Sequence, residues 1–397
     1  MEKLRIVVGG FIGLFPTGGA AWDYVQYPLG LKQLGHQVYY IEDTMQYPGY
    51  QPAGKAWDDP SHNVGYLKAI MERVGLAGRW AYRDVATGQS YGMSLTEIRE
   101  VCSSADVFIN VSCATVLRDE YLRIPKRILI DSDPMFTQIQ YHQEREGLAG
   151  SSTRYMVDHH NFRFTFGENI GAADCRIPTF DYQWFPTRQP VCLERWNGAS
   201  PAPQYGFSSV MNWSGRKKLT YENEQWGQKD VEFGKFMDVP GHFPQATFGV
   251  VVNGPQHPES GFDRRAIQSA GWTVLDPQTT VASPEQYQAF IHQSAAEFSC
   301  AKQTYVKSNS GWFSGRSACY LAAGKPVITQ DTGWSKYIPP GEGLFAFVDL
   351  ASALEALEEV TAHYGKHARA AREMAAAYFD SGTVLTQLLQ QVNVQHP

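Results

Sequence analysis

The densest run of groups able to do chemistry is residues 308–317, Ser-Asn-Ser-Gly-Trp-Phe-Ser-Gly-Arg-Ser. Ser314, Gly315 and Ser317 are small residues at the expected start of a helix, where unpaired backbone N–H groups, hydroxyls and the positive helix end converge. Such a point suits a phosphate, and Arg316 adds a fixed cation to it. Downstream, Gly324-Lys325-Pro326 ends that helix and launches a strand whose tip carries Gln330, Asp331 and Thr332. Two polar loops are thereby placed at one sheet edge. Trp312, Phe313 and Trp334 border them, suited either to cover a flat ligand or to pack between loop and sheet.

In the first half of the chain, acidic groups stand where strands are expected to end. Glu42-Asp43 follows a strand at 37–41, Asp131-Ser132-Asp133 follows one at 127–130, and Glu168 follows one at 163–166. Ligands of open α/β sheets sit beyond the carboxyl ends of strands, so these tips face a binding crevice. Asp23, in the first helix, and His142, His159 and His160 complete the proton-transfer candidates. The adjacent pair His159-His160 has no further ligand at a telling spacing and reads as a hydrogen-bonded or solvated pair, not a metal site.

The elements that must position these groups alternate. A short β-branched strand at 4–8 leads through a glycine-rich turn into a helix at 20–34, stopped by Gly35, and then the strand at 37–41. Lys3, Arg5 and the apolar run after them superficially resemble a secretory signal, but Gly9, Gly10 and Gly13 would interrupt an apolar signal helix. A buried first strand is preferred. Gly10-Phe11-Ile12-Gly13 lacks the spacing of a dinucleotide fingerprint. Periodicity fails from 185 to 205, and Gly198-Ala-Ser-Pro-Ala-Pro203 is the best linker. A second α/β series follows, with strands at 207–211, 247–252, 272–275 and 326–329 and helices at 229–237 and 316–323. Ser283-Pro284-Glu285-Gln286 spells a capping box, and the Ala-rich tail, 350–390, is helical.

Composition agrees. The 397 residues, 43% hydrophobic and 19% charged, suffice for two cores of about 150 to 200 residues. With 40 acidic against 34 basic residues, net −6, and no basic run longer than Arg216-Lys217-Lys218, the stripe of a dedicated nucleic-acid binder is missing. Six scattered cysteines form no Cys-x-x-Cys pair, which fits a reducing cytoplasm better than a disulfide framework or zinc site. No segment reaches the ~18 apolar residues of a membrane helix.

The order of small-residue loop, helix, Leu-Ala-Ala-Gly-Lys-Pro-Val-Ile and Asp-Thr-Gly resembles the donor-binding half of GT-B glycosyltransferases, and residues 305–339 resemble a poorly characterised bacterial branch of them. Residues 29–38, Leu-Gly-Leu-Lys-Gln-Leu-Gly-His-Gln-Val, are similar to the entry into many GT-B acceptor domains. The resemblance implies an α/β fold of two Rossmann-like domains facing across a cleft. Residues 1–200 would hold the acceptor, 205–375 a nucleotide-diphosphosugar donor, and 376–397 a helix or tail crossing back. The implied activity is metal-independent sugar transfer to an unidentified acceptor, with the nucleotide sugar as co-substrate and no other cofactor.

The same resemblance assigns Ser314, Gly315, Arg316 and Ser317 to the donor diphosphate and points to Arg216 and Lys229 as two cations on the leaving group. Retaining members carry two Glu residues eight apart, where this chain has Gly311 and Cys319, so a ribose role passes to Asp331 or Thr332 and the stereochemical outcome stays open. An inverting enzyme needs a base, for which Asp133 and Glu168 rank above Asp23. Asp131-Ser132-Asp133 has the spelling of a metal motif but lies in the acceptor half and is discounted. Two rivals are a nucleotide-sugar epimerase of the same fold, served by Asp133, Glu168 and His142, and a non-catalytic nucleotide-sugar or glycan binder.

Overall fold

The computed structural model describes residues 2–49, 56–148, 150, 152–198, 203–214, 218–253 and 261–394. The first half builds one sheet from β1 (Arg5–Gly9), β2 (Gln37–Glu42), β3 (Trp80–Arg83), β4 (Ser90–Gly92), β5 (Val107–Val111), β6 (Lys126–Asp131), β7 (Phe162–Thr165) and β8 (Phe185–Pro186). Their spatial order is β4-β3-β2-β1-β5-β6-β7-β8, parallel throughout except for β3 against β4. Ile6, Val7 and Val8 are fully buried, with Val7 facing one core and Ile6 and Val8 the other, as a strand covered on both faces requires.

The second half builds a six-stranded parallel sheet and a hairpin. Its strands are β9 (Tyr205–Asn212), the hairpin pair β10 (Leu219–Tyr221) and β11 (Glu224–Trp226), β12 (Phe248–Asn253), β13 (Trp272–Leu275), β14 (Ser294–Ser299), β15 (Val327–Gln330) and β16 (Leu344–Phe347). The sheet order is β13-β12-β9-β14-β15-β16. The direction of winding therefore reverses between β9 and β14, and the crevice beyond their carboxyl ends is where such sheets take ligands. The Ala-rich tail forms three helices, Leu350–Ala362, Tyr364–Tyr378 and Ser381–Val394.

The last of these crosses back. Leu385, Leu388, Leu389 and Val392 join the core of the first sheet, and the bridge between Val191 and Asp380 ties the crossing to the connecting segment. Gly30, in the first helix Gly18–Gln33, permits the close approach: a Cβ there would lie 2.7 Å from Leu385 Cδ1 and 2.9 Å from Ser381 Cβ. Gly30→Val is accordingly expected to overpack this crossing and cost about 1–3 kcal/mol, seen as a lower urea midpoint; an unchanged midpoint would contradict it. Among the described residues no helix is long and apolar enough to cross a membrane.

The carboxyl edges of the two sheets face each other. Gly167, beyond β7, forms an isolated β-bridge with Trp312, and Trp312 Nε1 donates to Ser132 O at 3.2 Å. On the other side Gly18 N donates to Val281 O at 3.0 Å and Trp22 Nε1 to Pro284 O at 3.0 Å.

Candidate functional site

The loop before the helix Gly315–Ala322 leaves polar groups unspent. Ser314 at the N-cap makes no side-chain capping bond, and Ser317 Oγ is buried with no partner among the described residues. Arg316 turns back under the sheet: Nη1 donates to Val210 O at 2.6 Å and Nε to Glu297 of β14. The guanidinium is thereby fixed at the switch point, its pKa raised by Glu297 against the opposing effect of burial.

Lys229 opens the helix Lys229–Lys235 beside it. Its side chain is buried, and no hydrogen bond or ion pair holds it among the described residues. Burial, and then the Arg316 charge, push its ammonium well below the ordinary lysine value, against the opposing pull of the Glu297 carboxylate, which Arg316 already engages. The neighbouring Gln228 Nε2 is also buried without a partner. A buried cation next to a second cation is costly unless an anion joins them. The arrangement suits a doubly charged phosphate group.

Asp23, from the first helix, faces that helix start across the interface. A Cβ on Gly315 would stand 3.0 Å from Asp23 Oδ1, and Gln189 Nε2 donates to Asp23 O at 2.7 Å. Asp23 is exposed by accessible surface, yet protein atoms crowd around its carboxyl group. Burial raises its pKa from 3.8 to about 7; Arg316 opposes that rise and Asp133 adds to it. A carboxyl in that range can exchange a proton near neutrality.

Asp133 and Glu168 are held differently. Asp133 Oδ1 receives Lys302 Nζ at 2.6 Å and the Tyr305 hydroxyl, both from the second half, while Tyr305 stacks on Trp312 at 4.3 Å. Glu168 is gripped by both nitrogens of Arg188, with Nη2 to Oε2 at 2.8 Å, and lines a recess of about 250 Å³ with Phe164, Tyr378 and Leu388. Asp23 thus lies within electrostatic reach of both Arg316 and Asp133, whereas Glu168 faces elsewhere.

Of the other expected donor contacts, Asp331 caps the turn at 333–335, accepting from Gly333 N at 2.8 Å and Ser335 Oγ at 2.6 Å. Thr332 is buried and donates to Trp312 O at 2.6 Å. The Thr332 side chain braces the Trp312 loop, whereas that of Asp331 stays within its own turn. Arg216 lies outside the described residues; Lys218 stands 3.9 Å from Asp230. Phe313 and Trp334 pack edge to face in the core, leaving Trp312 as the ring at the interface.

Several groups with acidic or imidazole chemistry are structural. Glu42 fills the first glycine-rich turn, accepting from Gly13 N at 2.8 Å and Tyr40 OH at 3.1 Å, and burial raises it to about 7. Asp43 is locked by Arg118 and Arg83, and Asp131 by Thr137, Gln138 and Thr165. His160 is buried, with Nδ1 2.6 Å from Met156 O, and burial lowers its pKa to about 3. The residue pattern does not single out Lys302, Glu297 or Gln189. Lys302 and Glu297 belong to or follow β14, whose Ser-Ala-Ala-Glu-Phe-Ser has no β-branched signal.

No protein-family model and no curated protein sequence matches the chain. Solved structures do. The Anabaena protein HepE, in complex with UDP and glucose, superposes with a TM-score of 0.54 at 11% identity, covering 98% of this chain and 100% of that one. Sucrose-phosphate synthase from Thermosynechococcus elongatus gives 0.53 at 13%, covering 98% and 99%. A glycosyltransferase from Rickettsia africae gives 0.53 at 10%, covering all of both chains. With two parallel sheets facing by their carboxyl edges, a C-terminal helix returning to the first and these full-length likenesses, the chain has the GT-B fold.

Proposed function

We propose that the protein transfers a glycosyl group from a nucleotide-diphosphosugar, held by residues 205–375, to an acceptor hydroxyl held by residues 1–200. The observation that carries this is the buried Lys229, with no hydrogen-bond partner among the described residues, beside Arg316 and the open helix start, with Asp23 facing them from the other half. The diphosphate lies against Ser314, Gly315 and Ser317, Thr332 holds the Trp312 loop around it, and Asp331 fixes the adjoining turn. As the bond from the anomeric carbon to phosphate oxygen breaks, negative charge grows on the leaving diphosphate, where Lys229 and Arg316 stabilise it. Arg216 is proposed to join them. These side-chain cations supply the neutralisation that a divalent metal gives in other transferases, so the reaction is proposed to run without one. Asp23 takes the proton of the acceptor hydroxyl as its oxygen bonds to the anomeric carbon.

Incubation with UDP-, ADP-, GDP-, dTDP- and CMP-sugars tests this by nucleotide release. UDP donors come first, because the HepE complex contains UDP. Slow release from one donor is expected. Interconversion of the sugar without release would indicate an epimerase instead, and binding without either would indicate a non-catalytic protein.

A further inference from the structure

We propose that Lys302 is a further cation of the donor site, kept in place by Asp133 until the diphosphate arrives and then shared with it. The inference rests on the donor reading above and extends it to a residue with no assigned role. Lys302 sits between the two halves. Its backbone belongs to the second half, one turn beyond β14, as the N-cap of the helix Gln303–Lys307. That segment is sewn to the residues just before Lys229: Gln303 N donates to Gln228 O at 3.3 Å, Thr304 N to Gly227 O at 3.2 Å and Thr304 Oγ1 to Gly227 O at 2.8 Å. The peptides that carry Lys302 and Lys229 are therefore neighbours at the carboxyl edge of the same sheet. Each side chain is also within electrostatic reach of the other.

Its ammonium, however, points across the interface to Asp133 Oδ1 at 2.6 Å, over the rings of Phe136 and Tyr305 at 5.1 Å each. Asp133 Oδ1 also accepts the Tyr305 hydroxyl, so the carboxylate keeps a donor when Lys302 turns away. Lysine suits such an exchange: it is a point charge on four rotatable carbons, with three donors that need no fixed plane. Both partners keep about a quarter of their side-chain surface accessible, so neither is sealed in place. Arg316, tied to Glu297 and to the Val210 carbonyl, has no such freedom. In this account Asp133 acts on the donor by holding Lys302 in reserve, and donor binding loosens the pair that joins the halves.

The test is titration calorimetry of UDP, with ADP and GDP in parallel, on the full-length protein and a double-mutant cycle. Asp133→Asn should tighten binding by about fivefold or more, because Lys302 no longer leaves a charged partner, while Lys302→Met should weaken it by about tenfold or more. In the Lys302→Met background, Asp133→Asn should change affinity by less than about twofold, since the carboxylate then no longer holds Lys302. Lys302→Arg, which keeps the charge if methionine disturbs folding, should preserve the Asp133→Asn effect. Equal tightening by Asp133→Asn with and without Lys302 would mean a simple through-space charge effect and would overturn the proposal. So would unchanged or weaker binding in Asp133→Asn alone. If the unmodified protein binds none of the three nucleotides, the donor reading itself fails, an outcome distinct from nucleotide binding without coupling.

Discussion

Replacing Lys229 with methionine is expected to raise the melting temperature of the ligand-free protein while removing most of its affinity for a nucleoside diphosphate. The two signs have one cause. Lys229 is buried beside Arg316, the nearby Glu297 carboxylate is already bonded to Arg316, and the lowered pKa of Lys229 records the cost of charging it there. Methionine fills similar space without the desolvation that lowers the Lys229 pKa, so its relief is expected to raise the melting temperature by a few degrees. A bound diphosphate reverses the balance, because the cation then has a partner in a dry site. Removing one member of such a buried pair costs about 2–5 kcal/mol of binding. Scanning calorimetry with and without the nucleotide reads both. A lysine that merely supports the helix would lower the melting temperature when replaced and leave affinity nearly unchanged.

Asp23→Asn is expected to lower kcat by about 10²- to 10⁴-fold, the usual span of general base catalysis, with little change in donor affinity. In the unmodified protein, kcat/KM should rise with pH through about 7, because Asp23 accepts a proton only when ionised and burial holds its pKa there. The stability sign follows from the same shift. A carboxyl raised from 3.8 to about 7 is protonated in the folded state over a range where the unfolded chain has already released its proton. Its burial is therefore tolerated at low pH, and stability is lost as pH rises from about 4 through about 7. Asp23→Asn removes that loss, so its melting temperature should exceed that of the unmodified protein at pH 8 and converge with it near pH 4. A variant retaining more than a tenth of the activity would move the acceptor proton to the leaving phosphate oxygen and leave Asp23 a bystander.

Local signals carried far in this chain. The capping box at Ser283 and Gln286 is present with both reciprocal bonds, at 3.2 and 3.0 Å, because it depends only on neighbours. The strand at 272–275 and the helix that follows the Ser314 loop lie where alternation and small residues put them. The alanine-rich tail is helical but broken near His363 and Asp380, where capping geometry ends one helix and turns the chain back toward the first sheet.

What local pattern could not show is pairing over distance. Asp133 and Glu168 stand just beyond strand ends as read, yet their roles are set by Lys302, 169 residues away, and by Arg188, in a stretch without periodicity. Asp23, ranked below them from its place inside a helix, owes its raised pKa to burial between two halves that only the fold brings together. Likewise β14 is central by position and not by residue type, which hid Glu297 and Lys302 beside the very loop that drew attention first.

Lys229, Arg316 and the start of the Gly315–Ala322 helix are proposed to form a diphosphate site. That site is tested most directly by the melting temperature of the unmodified protein with and without millimolar UDP, ADP, GDP, dTDP and the corresponding sugar nucleotides. At least one nucleoside diphosphate should raise it by several degrees, as a ligand at about 100 times its dissociation constant adds about 2.7 kcal/mol of stability. No rise with any of them would contradict the account.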